Sequence, residues 1–89
     1  MMPKEFKDIQ ETLRTDGIDS SYCLFEDEHI LCWYSKENIR VSVSVWEDDY
    51  DYFFLCAVKN GDYRENAGRR DNILELVEGM LWRIENNEH

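Results

Sequence analysis

Residues 39 to 46 alternate strictly between β-branched apolar side chains and other side chains. The β-branched positions are Ile39, Val41, Val43 and Val45, and the positions between them are Arg40, Ser42, Ser44 and Trp46. A β-strand points successive side chains to opposite faces, so this period of two places all four β-branched residues on one face. The segment therefore predicts a strand with one buried face, and the rest of the chain has to cover that face.

Other apolar segments predict a first helix and a meander of short strands. Phe6, Ile9 and Leu13 recur on one stripe within residues 3–15, which predicts a helix that ends before Gly17. The predicted strands are residues 22–25, 30–34, 39–46 and 52–58. After the Asn60-Gly61 turn signal, residues 62–68 form either a short fifth strand or a loop.

A second helix is predicted from Asn72 onward, where Glu75 three residues later fits a capping box. Its apolar face consists of Ile73, Leu76, Val77, Met80, Leu81 and Ile84. The order of elements predicts an α+β fold with an N-terminal helix, a four-stranded antiparallel meander and a C-terminal helix, both helices covering the valine face. With 89 residues, the chain is expected to form a single domain over residues 1–89.

Acidic residues are concentrated in the middle of the chain. The sequence has 20 Asp and Glu against 10 Lys and Arg, a net charge of −10. Residues 16–51 contain ten acidic residues against Lys36 and Arg40, a net charge of −8. A field of this sign repels nucleic acid and attracts basic proteins. It favours a protein partner with a basic surface and argues against direct binding of nucleic acid.

A meander brings the two most acidic turns, at residues 26–29 and 47–51, to one end of the sheet. The first and third turns of successive hairpins lie at the same end, roughly 10 Å apart, because neighbouring strands are about 4.8 Å apart. We call the resulting group of seven carboxylates the acidic rim. It consists of Glu26, Asp27, Glu28, Glu47, Asp48, Asp49 and Asp51.

Three interpretations of the acidic rim are open. The carboxylates are solvated turn residues that aid solubility, they imitate a phosphate backbone and pair with a basic cleft, or they bind a cation. A calcium loop is disfavoured because Phe54 stands at the sixth position from Asp49, where an EF-hand loop needs glycine. We therefore predict no metal site and no cofactor.

Aromatic residues near the acidic ones support a binding role. Trp46 and Tyr50 flank the second acidic turn, and helical spacing places Trp82 among the acidic residues of the second helix. Trp and Tyr dominate the energetics of protein interfaces. We expect Trp46, Tyr50 and Trp82 to contact a partner, and the alternative for Trp82 is that a hairpin or a second subunit covers it.

Residues 52–58 are apolar at every position, so one face of the fourth strand needs a cover. At the edge of a meander, Phe53, Leu55 and Ala57 would be exposed beside an unpaired strand, which is an aggregation hazard. Either residues 62–68 pair with this strand or two copies of the chain associate there. A homodimer is therefore one expectation.

Familiar catalytic motifs are absent from the sequence. It contains no HExxH, P-loop, GxGxxG or GxSxG, and its two histidines are His29, assigned to a turn, and the terminal His89. Solvated turn carboxylates also lack the burial that tunes acid–base pairs. We therefore predict a binding protein rather than an enzyme, with no catalytic residues.

Cysteine usage and hydropathy bear on the location of the protein. Cys23, Cys32 and Cys56 lie in apolar strand patterns without CxxC spacing, so reduced cysteines packed as small hydrophobes are expected. A Cys23–Cys32 cross-strand disulfide is the alternative.

Residues 1–8 have four charges and no apolar run, and no stretch approaches the ~18 apolar residues of a membrane span. A cytoplasmic protein without membrane contact is expected.

The small size, single domain, acidic rim and exposed aromatic residues together resemble phage-encoded inhibitors of bacterial defence, including anti-CRISPR and anti-restriction DNA mimics. The resemblance covers overall character and involves no shared motif. It implies a protein that acts in the cytoplasm of a bacterial host and occupies the nucleic-acid-binding surface of a nuclease or effector complex. The acidic rim would meet Lys and Arg there.

Two alternatives belong to other classes of binding protein. The order helix, strands, helix is also similar to small acidic secretion chaperones, which bind an extended effector segment as dimers. In that case the face with Phe53, Leu55 and Ala57 would matter more than the acidic turns. A toxin-immunity protein differs from the DNA mimic in the identity of its basic target.

Overall fold

Two α-helices and a five-stranded antiparallel sheet form this α+β protein, as seen in a computed structural model that describes residues 2–35 and 38–86, apart from the side chains of Tyr50, Arg70, Ile84 and Glu85. The helices are α1 (Lys4–Thr15) and α2 (Ile73–Glu85), and a short 3-10 turn (Arg70–Asn72) precedes α2. The strands are β1 (Ser20–Phe25), β2 (Glu28–Tyr34), β3 (Arg40–Trp46), β4 (Asp49–Lys59) and β5 (Asp62–Arg69). The predicted α+β class is confirmed.

Each strand pairs with its neighbour in sequence, in the order β1-β2-β3-β4-β5. The pairing of β2 with β3 is unbroken from Glu28 opposite Trp46 to Tyr34 opposite Arg40. The β3–β4 pairing has a register irregularity between Ser44 and Trp46. The strands β1 and β5 are the two edges of the sheet.

The residues after Asn60-Gly61 form a strand, which decides between the strand and the loop expected there. Asn60 and Gly61 have φ values of 50° and 86°. A type I′ hairpin turn requires positive φ at both of its central positions, and its twist matches that of the two strands. β5 can therefore pair with β4 over its whole length, from Lys59 opposite Asp62 to Tyr52 opposite Arg69.

Two of the turns are shorter than predicted. The third turn, expected at residues 47–51, is wrong in extent because β4 begins at Asp49, which pairs with Trp46. The assignment of His29 to a turn is also wrong, because β2 begins at Glu28. The backbone N–H and C=O groups form hydrogen bonds whichever side chain the residue has, so strand pairing continues past the last apolar residue.

Alternate residues of the central strands form the core. We call the sheet face that carries them the core face: Leu31, Trp33, Val41, Val43, Val45, Phe53, Leu55 and Ala57, all buried. The same apolar cluster includes the buried residues of α1 and α2, which are Phe6, Ile9, Leu13, Ile73, Val77 and Met80. The rings of Phe6 and Phe53 lie 5.7 Å apart between centroids. The opposite side of the sheet is called the open face.

The close approach of α2 to β5 depends on a glycine. A Cβ atom added to Gly68 would overlap the Cδ1 atom of Leu76 and lie 3.0 Å from its Cγ atom. Gly68 lies opposite Phe53 in the β4–β5 pairing, so it belongs to the core face. The absence of a side chain there lets Leu76 of α2 settle directly on the sheet.

Gly68→Ala is expected to lower the free energy of unfolding by about 1–3 kcal/mol, because Leu76 has to leave its position. Urea unfolding of the full chain measures this effect. The matched control is Gly79→Ala, since no atom lies within 4 Å of its added Cβ. Alanine is favoured over glycine inside a helix by about 1 kcal/mol, so the control should be more stable. A Gly68→Ala protein as stable as the wild type would contradict this account of the α2–β5 contact.

Candidate functional site

The two acidic turns are neighbours in space, as the meander predicts. The backbone N–H of Glu47, in the turn between β3 and β4, donates a 2.8 Å hydrogen bond to the carbonyl oxygen of Asp27, in the turn between β1 and β2. Glu28 and Trp46, the residues next to these turns, face each other in the β2–β3 pairing. Both turns are therefore held together by backbone geometry, and their carboxylates occupy one end of the sheet.

The charges of the acidic rim are largely uncompensated. No Lys or Arg side chain that the structure describes lies within 4 Å of the carboxylates of Glu26, Asp27, Glu28, Asp48, Asp49 or Asp51. All of these residues are exposed except Glu28, which is half-buried. Asp49 and Asp51 lie in β4 rather than in the predicted turn. The acidic rim thus presents its charge to solvent and is free to meet a cationic partner.

Glu47 differs from the other members of the acidic rim because it contacts a buried histidine. His29 is 1% exposed, and its Nε2 atom lies 3.2 Å from a carboxylate oxygen of Glu47. Its Nδ1 atom lies 2.8 Å from the hydroxyl oxygen of Tyr22, whose ring is nearly parallel to the imidazole with the centroids 6.0 Å apart. A carboxylate only accepts hydrogen bonds, so the contact with Glu47 requires a proton on Nε2, and the Tyr22 hydroxyl donates to Nδ1 when that nitrogen carries no proton.

This Tyr22–His29–Glu47 chain was missed in the sequence analysis, although a signal for it exists. His29 is separated from Leu31 and Trp33 by multiples of two residues, so a strand beginning at Glu28 puts all three on the core face. Tyr22 lies opposite Leu31 in the β1–β2 pairing, on that same side of the sheet. The chain of contacts fixes the second acidic turn to the core.

Tyr22→Phe is expected to lower the free energy of unfolding by about 1 kcal/mol, because His29 loses one of its hydrogen bonds. Urea unfolding measures the change. Tyr34→Phe is the matched control, since Tyr34 is an exposed tyrosine of the adjacent strand. Its effect should stay within about 0.5 kcal/mol. Equal effects of the two substitutions would argue against a structural role for the Tyr22–His29 contact.

The open face carries most of the exposed large apolar side chains. Of the seven such residues described, five belong to this face: Phe25, Tyr34, Tyr52, Phe54 and Tyr63, which are 45–66% exposed. The other two are Leu24 and Trp82. Exposed apolar residues scattered singly are ordinary, but a concentration on one face marks an interaction surface.

This result corrects the surface expected for a chaperone-like role. Phe53, Leu55 and Ala57 are 0–1% exposed and belong to the core, so they cannot receive a partner. The intervening residues Phe54, Cys56 and Val58 lie on the open face instead. Pairing with β5 satisfies the second edge of β4, so neither reason for expecting a dimer at that edge remains.

A groove of about 560 Å³ runs across the middle of the open face. Small residues, Ser42, Ser44 and Cys56, lie along it, and larger side chains stand around it: Trp46, Phe54 and Tyr63. The rings of Trp46 and Phe54 meet edge to face with centroids 5.1 Å apart. Next to this pair, Asp48 and Asp49 line a shallow depression together with both rings. The groove therefore adjoins the acidic rim.

The three predicted aromatic contact residues have different positions. Trp46 is half-buried beside the acidic rim. Trp82 is 54% exposed on α2, and no hydrogen bond or ring contact among the described residues joins it to the acidic rim. The side chain of Tyr50 lies outside the described residues. The structure therefore brings together Trp46 and the carboxylates, and it adds Phe54, which the sequence analysis did not select.

The cysteines give no sign of a disulfide. Cys23 pairs with Ile30 and Cys32 pairs with Ser21, so the two thiols are not directly opposite each other. All three cysteines are free; Cys32 and Cys56 are half-buried, whereas Cys23 is exposed rather than packed. β1 is an edge strand, which explains the exposure of Cys23.

Tyr63 and Glu65 form a polar pair at the end of the groove. The Tyr63 hydroxyl donates a 2.5 Å hydrogen bond to the Glu65 carboxylate. This bond raises the pKa of Tyr63 above its ordinary value of 10.0, and a smaller contribution comes from Cys56. The pair therefore requires a protonated phenol.

An alkaline titration followed by phenolate absorbance tests the Tyr63–Glu65 pair. Because the pKa is raised in the folded state, the contribution of the pair to stability is present below pH 10 and is lost as the pH rises through the raised pKa. Tyr63→Phe should remove the part of the absorbance that forms at the highest pH, and Glu65→Gln should move that part to lower pH. If Tyr63→Phe instead removes absorbance that forms at the low-pH end of the titration, the assignment of the raised pKa to Tyr63 is wrong.

Within residues 2–35 and 38–86, no group of three or more His, Cys, Asp or Glu residues is arranged to hold a metal ion. None of the helices in the same ranges is both long enough and apolar enough to cross a membrane.

No protein-family model, curated protein or solved structure matches the chain. The function is therefore inferred from the acidic rim and the open face themselves.

Proposed function

We propose that this protein binds the basic surface of a nucleic-acid-binding protein through the acidic rim and thereby inhibits that protein. The observation that carries the proposal is the hydrogen bond between Glu47 and Asp27, which holds the two acidic turns side by side. Salt screens exposed charges only partly when they are closer than a Debye length, about 8–10 Å at moderate salt, so the fields of charges on two turns in contact add. A nuclease or a CRISPR or restriction effector complex is the class of target that such a field fits.

The density of charge on the acidic rim supports imitation of nucleic acid. Double-stranded DNA carries one negative charge per roughly 1.7 Å of helix axis, and seven carboxylates on two adjacent turns reach a similar order of density. Proteins that read DNA meet this charge with Lys and Arg. Such complementary charge speeds association and selects the partner more than it deepens affinity.

Aromatic side chains beside the acidic rim supply the apolar part of the contact. Trp46 and Phe54 adjoin Asp48 and Asp49, and Trp and Tyr residues dominate interface energetics. In this proposal, Trp46 contributes next to the carboxylates, Tyr50 is a further contact residue, and Trp82 contacts a separate part of the target. Buried residues of both helices belong to the core cluster, whereas the acidic rim and the open face carry exposed side chains.

The proposal describes a binding protein that needs no catalytic residue, metal or cofactor and that works in the cytoplasm of a bacterial host. It resembles phage-encoded anti-CRISPR and anti-restriction proteins in this respect. A toxin-immunity protein would use the same acidic surface against a toxin of similar charge. The nature of the captured target distinguishes these two cases.

A chaperone-like function is the second candidate, and the exposed aromatic residues of the open face favour it. An extended effector segment would lie along the groove over Ser42 and Cys56, beside Phe54. Apolar contacts of this kind persist at high salt, whereas binding through carboxylates weakens as salt screens the charges. The salt dependence of binding therefore separates the two candidates.

The test reverses three charges of the acidic rim whose carboxylates form no ion pair among the described residues, with the variant Glu26→Lys/Asp27→Lys/Asp48→Lys. Glu47 is left unchanged because it contacts His29. The immobilised full chain is exposed to the heparin-retained proteins of a bacterial lysate at about 0.05 M salt, with or without excess DNA duplex. The wild type should capture a protein that DNA displaces, and the purified target should bind the variant at least about 100-fold more weakly.

The matched control, Glu11→Lys/Asp16→Lys/Asp62→Lys, makes the same change in net charge at exposed positions away from the acidic rim and from Trp82. Its binding should stay close to that of the wild type, and circular dichroism confirms that both variants fold. Equal losses in the two variants would mean that net charge alone drives binding. A captured protein that DNA does not displace would remove the proposal of imitation.

A further inference from the structure

Strand pairing divides the open face into four rows of residues. The row next to the acidic rim contains Glu28 and Trp46, and the row at the far end contains Tyr34, Arg40, Val58 and Tyr63. Between them lie a row with Ile30, Ser44 and Phe54 and a row with Cys32, Ser42 and Cys56. The inner rows differ in size, since Phe54 is large and exposed whereas Ser42 and Cys56 are small.

We propose that a second copy of this chain covers the open face, related to the first by a two-fold axis that runs across the strands. Such an axis exchanges the two ends of the sheet. Each row of one copy therefore faces the row of the other copy that lies equally far from the axis but toward the opposite end of its own sheet. The two sheets would form an aligned sandwich, roughly 10 Å apart and crossing at about 30°. The interface is isologous, which is the commonest arrangement in soluble homo-oligomers.

The inner rows are complementary in shape under this symmetry. The row with Phe54 of one copy faces the partner's row with Ser42 and Cys56, and residues of both inner rows line the groove of about 560 Å³. Phe54 is 45% exposed and stands beside that groove, so each copy offers one projecting ring and one recess. Interdigitation of large and small side chains is how two sheets pack at native density.

The outer rows are complementary in charge. Arg40 is exposed at the far end of the open face, and the end next to the acidic rim carries Glu28 and Asp49. The proposed axis brings Arg40 of each copy to the acidic end of the other, next to Trp46. A guanidinium there can pair with a carboxylate and lie over the indole face. An axis running along the strands would instead bring the two acidic ends together.

The open face is large enough for a stable interface. Five strands at about 4.8 Å and seven residues at about 3.3 Å give a projected area of roughly 550 Å² per copy. If the whole face is covered, two copies bury about 1,100 Å², which is close to the roughly 1,000 Å² expected of a biological interface. The net charge of −10 per chain opposes the association, so added salt should strengthen the dimer.

This inference does not rest on the proposed function, and the two respond to salt in opposite directions. Raising NaCl from about 0.05 M to about 0.5 M should weaken binding of a basic target through the acidic rim. The same change should strengthen a dimer formed by the open face, because apolar contacts remain and the repulsion between chains is screened. The dimer and the target would compete for Trp46, Glu28 and Asp49, and the opposite salt responses distinguish a failure of one proposal from a failure of the other.

Sedimentation equilibrium of the full chain at micromolar concentrations, in low and high salt, tests the dimer. Phe54→Glu should raise the dissociation constant of the dimer at least about 30-fold, as expected for a central interface residue. Trp82→Glu is the matched control, because it adds the same charge at an exposed aromatic residue outside the open face. Its dissociation constant should change by less than about threefold. Circular dichroism establishes that each variant is folded.

A charge exchange tests the orientation of the two copies. Arg40→Glu should weaken the dimer, and adding Asp49→Arg to the same chain should restore it, because the two positions meet across the interface. A failure of restoration would overturn the proposed axis. A wild type that is monomeric at about 0.1 mM, or a Phe54→Glu variant that still dimerises, would overturn the dimer itself. If the wild type is monomeric and Phe54→Glu loses the captured target, the open face serves that other protein.

Discussion

The unbroken pairing of β2 with β3 is the constraint on which the other features depend. With Glu28 opposite Trp46 and Tyr34 opposite Arg40, the register assigns every residue of both strands to a face. It places His29 in the core and Trp46 on the open face. It also brings the turn before Glu28 and the turn after Trp46 within hydrogen-bonding distance of each other. A shift by one residue would exchange the two faces, which the burial of the valines strongly opposes.

Much of this arrangement could be predicted from sequence, because β3 alternates and its neighbours follow by short turns. The prediction failed at β4, where residues 52–58 are all apolar and carry no alternation that shows which side is buried. Pairing decides the matter: Leu55 lies opposite Val43 and Phe54 lies opposite Ser44. The Tyr22–His29–Glu47 chain was missed for a different reason: the predicted second strand began at Ile30 instead of Glu28, which left His29 in a turn. The adjacency of the acidic turns was predicted because it follows from topology alone.

The acidic rim has two opposing physical effects: it lowers the stability of the protein, and its field attracts cationic groups. Carboxylates close together repel one another and lower stability, and this repulsion is the cost of a surface that attracts a basic partner. Glu47 is an exception within the group, because it accepts a hydrogen bond from buried His29 and its backbone joins the neighbouring turn. The rim is therefore attached to the core at one carboxylate, while the others remain available.

The position of β1 at the edge of the sheet has a consequence for behaviour at high concentration. Cys23, Leu24 and Phe25 are consecutive and all exposed, beside backbone groups that pair with no strand among the described residues. Such a segment invites another chain to add a strand and begin a fibre. Asp19 precedes this segment, and the turn residues Glu26 and Asp27 follow it. Their negative charges repel further copies of the chain and so oppose the nucleation of fibres at this edge.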